Sequence, residues 1–527
     1  MQASTFDVVI VGSGINSLVC AALLGKKGLR VCVLERAATL GGCIRTEELT
    51  LPGFRHDTLS TLYPLFVSAP HFAMFKDELA EHGATFVNTL VPTAVVVPRL
   101  GSLVFRRDRA ANIAALEAIA PGDGRKFGEA LAEIERHAPL TFGLLGAEIW
   151  RRQTAQLLAR QAWTGGLQGV SAYFAGAMTS CRDWLASTFS SELVRSLIAP
   201  WVLHVGLGPE SATSALMARL ILFTLEGAGS PMVAGGSARI VHAFAAMIRK
   251  SGGVLMSGVD VAQVRSLGKA GLQVVTVEGA VFQARRAVVC NVTPTQLYGR
   301  LLAKSAVPPE IRSLAAAYRY GRGEMQIHLA LDRPPQWEHA MLAEVGMLHV
   351  TGGLDAVSRA VNESTRGLLP ADATIVIAQP TALDPSRAPP GKSILWIQLQ
   401  EVPRAPIGDA AGELNCGSDG AWSEVLREAY ADRIVARLCD EIPNLRAAIL
   451  SRKVFAPPDL EKMNINLVGG DPYSGSCEID QFAMWRPFAG LRDHDTPVRN
   501  VFHIGASSHP GPGLGGMSGF MVANRIS

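Results

Sequence analysis

Asp7-Val8-Val9-Ile10-Val11, the Gly12-Ser13-Gly14-Ile15-Asn16-Ser17 turn and Val31-Cys32-Val33-Leu34-Glu35 restrict the fold of this chain more than any other feature. The first run is too brief for a helix and rich in β-branched residues, so it reads as a buried strand. A helical pattern from Leu18 to Lys27 follows, and the second apolar strand ends on Glu35, 23 positions after Gly12. That is a βαβ unit with a phosphate-binding turn and an acidic strand tip. Gly12 permits the tight turn, and Gly14 lets a pyrophosphate approach bare backbone. The N-terminus of the next helix offers that anion free N–H groups and a positive dipole end. Glu35 would accept hydrogen bonds from a ribose diol and repel a 2′-phosphate. Ser17 stands where the fingerprint has its third glycine, and its small side chain still lets helix and strand pack closely. Alone, G-x-G-x-x-S also describes an ordinary tight turn; the strand, helix and Glu35 in register favour a dinucleotide.

Gly41-Gly42-Cys43-Ile44-Arg45-Thr46 resembles the G-G-x-x-R-T continuation of FAD oxidoreductases in the amine oxidase and phytoene desaturase superfamily. The resemblance implies FAD, with Gly41 and Gly42 passing close to it and Arg45 reaching its diphosphate and ribityl region. Arg36, directly after Glu35, joins the cofactor-binding set. At the other end, Val501-Phe502-His503-Ile504-Gly505-Ala506 reads as a strand entering a small-residue turn, followed by His509-Pro510-Gly511-Pro512-Gly513-Leu514-Gly515-Gly516-Met517-Ser518-Gly519. Glycine at this density signals close backbone approach to a ligand or positive-φ turns. A helix starting near Gly516 could direct its dipole at a flavin ring. This tail resembles the phytoene desaturase-like family, which places Gly505 and Ala506 near the phosphates and Gly515, Gly516, Met517 and Ser518 near the isoalloxazine. Leu51–Asp57, Tyr63–Phe66, Pro231–Ser237, Asp384–Lys392, Gly470-Asp471 and Asp480-Gln481 resemble further family segments. Val261 matches the position whose backbone meets the adenine. None of these matches names a substrate.

The fold class expected is α/β, a Rossmann-like FAD-binding domain with a discontinuous α+β substrate domain. The FAD domain would take about 1–60, 230–300 and 480–527, and the substrate domain 61–229 and 301–479. The first insertion is expected to be helical. The second holds Gln326–Leu331 and Ser393–Gln398, read as strands of a sheet roofing the flavin. Phe142–Phe189 alternates apolar clusters with Arg151, Arg152, Arg160 and Arg182. Such a basic amphipathic stretch can lie on a membrane surface, but more often is a core-packed helix pair with a solvated face.

Net charge is +3 from 49 basic and 46 acidic residues, so no global field draws the chain to nucleic acid. Charged residues are 18% and mean hydropathy is +0.21, which points to an apolar substrate tunnel, an oligomer interface or a membrane-facing patch. No uncharged apolar run reaches the length of a membrane span. No signal peptide is expected, and the eight scattered cysteines are expected reduced, in a cytoplasmic enzyme with peripheral membrane contact left open. Cys43 has Glu48, not cysteine, five positions on, which argues against a dithiol relay. No Cys/His cluster has zinc spacing, so no metal is expected.

The resemblance implies a dehydrogenase or desaturase that moves a hydride from a C–H bond of a small apolar or alicyclic substrate to flavin N5. Oxygen or a membrane quinone would reoxidise the flavin. His509 and His56 lie in segments the resemblance places near the flavin and are the acid–base candidates. Three alternatives stand: a flavin amine oxidase, although Arg322–Leu331 has no lysine; a redox-neutral FAD isomerase; and a carrier like the Rab GDP-dissociation inhibitors.

Overall fold

Two seven-stranded sheets carry the chain, and each collects strands from distant parts of the sequence. The computed structural model describes residues 4–526. In the first sheet, β1 (Ser4–Val11) pairs in parallel with β2 (Val31–Leu34) on one side and with Val281–Asn291 on the other. Val254–Met256 adds parallel to β2, and Val501–Ile504 adds parallel to the end of Val281–Asn291. Val261–Ser266 and Leu272–Thr276 finish the sheet as antiparallel strands. Parallel strands need crossover helices and are covered on both faces, so they read as continuous apolar runs. Here Val8 to Ile10 and Val31 to Leu34 are buried without alternation. The crossover is α1 (Ile15–Lys26), which packs beside Ala238–Lys250 and α2 (Met517–Arg525) in one core.

The second sheet runs Ile449–Phe455, β3 (Gly323–Leu331), β4 (Ser393–Val402), Ile375–Ala378, Met347–Val350, Thr93–Val97, Gly101–Phe105. The last two strands come from the insertion expected to be helical. Helices Asp123–Leu145 and Arg152–Met178 are there, but the β-branched run Thr93–Val97 is buried throughout and joins the sheet edge. Trp163 and Leu167 on Arg152–Met178 face solvent. Among the described residues, no helix is long and apolar enough to cross a membrane.

Along β3 the side chains alternate. Met325, Ile327, Leu329 and Leu331 pack with Leu426, Tyr430 and Ile434 of the helix Glu424–Glu441. Glu324, Gln326 and His328 take the other face. Pairing aligns Gln326 with Gln398, Gln398 with Val376, and Val376 with His349, so these four form one row across that inner face.

Candidate cofactor and active site

At the end of β1, Gly12 has φ +88 and donates its N–H to the Leu34 carbonyl at 2.8 Å. A Cβ there would come within 2.9 Å of the Asn291 carbonyl oxygen, which is why the position takes glycine. Gly14 caps α1 without any side-chain cap, leaving first-turn N–H groups directed outward, as an anion requires. Glu35 Oε2 accepts from Ser13 N and Oγ at 2.8 and 2.6 Å, and Oε1 accepts from Ala37 N at 2.8 Å. Gly41 N in turn donates to Ser13 Oγ at 2.9 Å. Turn, acidic tip and Gly-Gly loop are thus one hydrogen-bonded unit. A Cβ on Gly42 would meet the Gly14 Cα at 3.4 Å, and Arg45 Nε donates to the Gly42 carbonyl at 3.1 Å.

The C-terminal tail closes on this unit. Gly505 N donates to Ser518 Oγ at 2.9 Å, and Ser518 Oγ donates to Asn16 Oδ1 at 2.8 Å. Gly516, at φ +76, precedes α2. Gly515 lies beside the Leu65 backbone, and Met517 opens the helix. Ala506 is tied through its carbonyl to Arg486 Nε at 2.7 Å. Asn291, which no sequence motif singled out, joins the parts. Its Nδ2 donates to Ser17 Oγ at 2.9 Å, and its side chain lies where a Cβ on Gly14 or Gly505 would fall. It ends the strand beside β1, at the carboxyl edge where ligands of open α/β sheets bind. Val261 is buried at the start of its strand and accepts from Arg300 Nη1 through its carbonyl at 2.9 Å. Arg36 is exposed and turns to Asp260 at 3.1 Å.

The two candidate histidines are both buried. His56 Nε2 meets Thr50 Oγ1 at 2.8 Å, and its ring packs edge-to-face on His328 with the ring centroids 5.3 Å apart. Burial, with His328 and Arg387 adding to it, pushes its pKa down to about 2. His509 Nε2 donates to the Leu144 carbonyl at 3.0 Å, and burial pushes it down to about 4. Nδ1 of each is buried without a hydrogen-bond partner. Beside His56, Asp57 accepts from Thr46 Oγ1, Thr61 Oγ1 and Ser237 N, and pairs with Arg387 Nη2 at 2.6 Å in an ion pair with both side chains 0% exposed. That pair joins the loop after the Gly-Gly segment to the loop before β4.

The inner face of the second sheet holds polar groups no motif announced. Glu324 is fully enclosed and accepts from Gln398 Nε2. Burial pushes its pKa up to about 8, Gln326 opposes the rise, and Asp471 adds to it. His328, on this face, donates Nε2 to the Thr58 carbonyl at 3.2 Å, so the face lies against the segment that follows the Gly-Gly loop. Gln326 is buried with neither amide atom in hydrogen-bonding geometry, and the same holds for Gln400 Oε1. An enclosed amide without well-aligned partners costs about 1–3 kcal/mol.

Residues 10–79 match the model of the NAD(P)-binding Rossmann-like domain. Over 558 residues the chain is 25% identical to mouse pyridine nucleotide-disulfide oxidoreductase domain-containing protein 2, covering 99% of this chain and 93% of that protein. It is 24% identical to a limonene dehydrogenase chain of Castellaniella defragrans, covering 99% and 94%. Against the lycopene-forming phytoene desaturase of a Paracoccus species identity is 28%, covering 65% and 63%. A solved structure of putrescine oxidase superposes with a TM-score of 0.63 at 14% identity, covering 99% of each chain, which speaks for the fold alone. The matched Rossmann-like domain and these relatives point to a flavin or nucleotide cofactor. The chain thus has the fold of putrescine oxidase and is similar along nearly its whole length to proteins named as oxidoreductases and dehydrogenases.

Proposed function

We propose that the protein binds FAD and dehydrogenates or desaturates an apolar or alicyclic substrate. The observation that carries this reading is the convergence of Gly12, Gly14, Ser17 and Gly505 on Asn291, with Glu35 held at the strand tip. Orphaned N–H groups at the start of α1 and the crowding that excludes a Cβ from Gly12 fit a pyrophosphate. Glu35 would take the ribose, the Val261 backbone the adenine, Arg45 the diphosphate and ribityl chain, and Gly505 and Ala506 the phosphates. Gly515, Gly516, Met517 and Ser518 would border the isoalloxazine, with Gly41 and Gly42 close by. Bound FAD supplies a two-electron acceptor at N5 for a hydride leaving substrate carbon. The chain's part is to orient that C–H bond, exclude water and hold the proton lost from the neighbouring atom. His509, and less readily His56, whose burial lowers its pKa further, would take that proton, each through its buried, unpartnered Nδ1. Oxygen or a quinone would serve as the final electron acceptor.

The similarity to the limonene dehydrogenase chain favours an alicyclic substrate. The test is the visible spectrum of purified protein, repeated without air in the presence of alicyclic, polyene and amine compounds. A flavin spectrum bleached by an alicyclic or polyene compound and restored by air or quinone is expected. A colourless protein that takes up no added FAD refutes the reading, and bleaching by amines alone replaces it with an amine oxidase.

A further inference from the structure

We propose that the inner face of β3 and β4 is a subsite for one uncharged oxygen, a ring carbonyl or hydroxyl, on an otherwise apolar ligand, with Glu324, Gln326 and Gln398 as its hydrogen-bonding partners. This deepens the oxidoreductase reading above and rests on it for the identity of the ligand as substrate.

Three observations support it. Gln326 and Gln398 stand directly opposite each other on neighbouring strands, and Gln398 Nε2 reaches the Glu324 carboxyl, so the three side chains share one spot. Gln398 sits mid-sheet with both neighbouring strands in place, yet it is only half-buried, so the inner face is accessible at that point. Gln326 is 0% exposed and its amide donates and accepts nothing in good geometry, although it lies close enough to Glu324 to favour the ionised carboxyl. A hydrocarbon would leave that amide unpaired, whereas an oxygen can accept from it.

The surroundings select against charge. Val376, Ala378 and Trp396 flank the pair on the same face. Arg322, just before β3, donates Nη2 to the Leu207 carbonyl at 2.9 Å. Enclosure holds Glu324 largely protonated at neutral pH, which makes it a donor suited to a ligand oxygen and a poor partner for an ammonium group.

The test is calorimetric titration of the FAD-loaded protein at pH 7 with 2-decalone, its isosteric hydrocarbon 2-methylenedecalin, and 2-aminodecalin. The ketone is expected to bind about tenfold more tightly than the hydrocarbon, because a site built to hydrogen-bond an oxygen discriminates strongly against its absence. Gln326→Met should bring the ketone down to the hydrocarbon's affinity while leaving the hydrocarbon unchanged. Glu324→Gln keeps a donor and should retain most of the preference. Equal binding of ketone and hydrocarbon, or tightest binding of the amine, overturns the subsite. Failure to take up FAD defeats the oxidoreductase reading instead, and the ketone-to-hydrocarbon ratio still reports on the subsite by itself.

Discussion

Replacing Gly519 by alanine should open the cofactor site from behind. Gly519 lies in α2 against the first turn of α1, and a methyl group there would sit 1.8 Å from the Asn16 carbonyl oxygen. A close carbon–oxygen contact needs about 3.3 Å, so the two helices must part by about 1.5 Å. Backbone cannot swing aside as a side chain can, and the movement takes Ser518 away from Asn16 and from Gly505 N. Two hydrogen bonds at about 1 kcal/mol each and an overpacking cost of about 1–3 kcal/mol together amount to roughly 3–5 kcal/mol. The loss falls on the segments that shape the anion turn, so it should appear as FAD affinity weakened by a factor on the order of 100 or more. The assay is fluorescence titration of cofactor-free protein with FAD, beside the melting temperature of the loaded form. Gly227→Ala is the control: it is helical, has nothing within 4 Å of a built Cβ, and should cost nothing or stabilise slightly. FAD affinity within twofold of wild type in Gly519→Ala would refute the idea that α2 braces the turn.

Asn291→Ala removes the amide that joins Ser17 to the ends of the two sheet strands, and FAD affinity by the same titration should fall about tenfold. Arg387→Met leaves Asp57 buried with three neutral donors but no cation, and should cost about 3 kcal/mol in urea unfolding; adding Asp57→Asn should recover much of it. Glu324 has a folded pKa raised to about 8, so it binds its proton more tightly folded than unfolded. Its contribution is therefore full below the unfolded carboxylate pKa and is lost as pH rises towards 8, and wild type should weaken relative to Glu324→Gln by up to about 1.4 kcal/mol per pH unit over that window. Urea midpoints of the two proteins that move in parallel from pH 5.5 to 7.5 would contradict this. His509 and His56 carry the opposite sign, since burial lowers them, and their contribution is lost as pH falls below 6.5.

Local features were readable in the sequence and distant ones were not. The βαβ turn spans a few dozen residues, and its glycines, strand and Glu35 sit close in the chain, so spacing alone located them. The tail was recognised by its glycine density, and α2 begins where the helical start was expected. Asn291 gave no signal, because its meaning depends on meeting Ser17, 274 positions away. Gln326 stands on a segment read as a strand, but which of its faces packs on the helix Glu424–Glu441 was decided by residues about a hundred positions later. Thr93–Val97 is a plain β-branched run whose partner strand lies at Met347–Val350, and expectation of a helical insertion hid it. Arg36 was grouped with the cofactor by adjacency to Glu35, whereas its side chain turns to Asp260.

The placement of Val501–Ile504 and α2 has a consequence for biosynthesis. The anion turn is translated hundreds of residues before the strand that completes its sheet and the helix that braces it. Domains generally fold as units while the chain is being made, from the N-terminus onward. This one cannot, because the turn must wait for that distant strand and helix to be made. A nascent chain thus holds an apolar β1–β2 pair without its final neighbours, and a chaperone that shields that pair would act before any cofactor is captured.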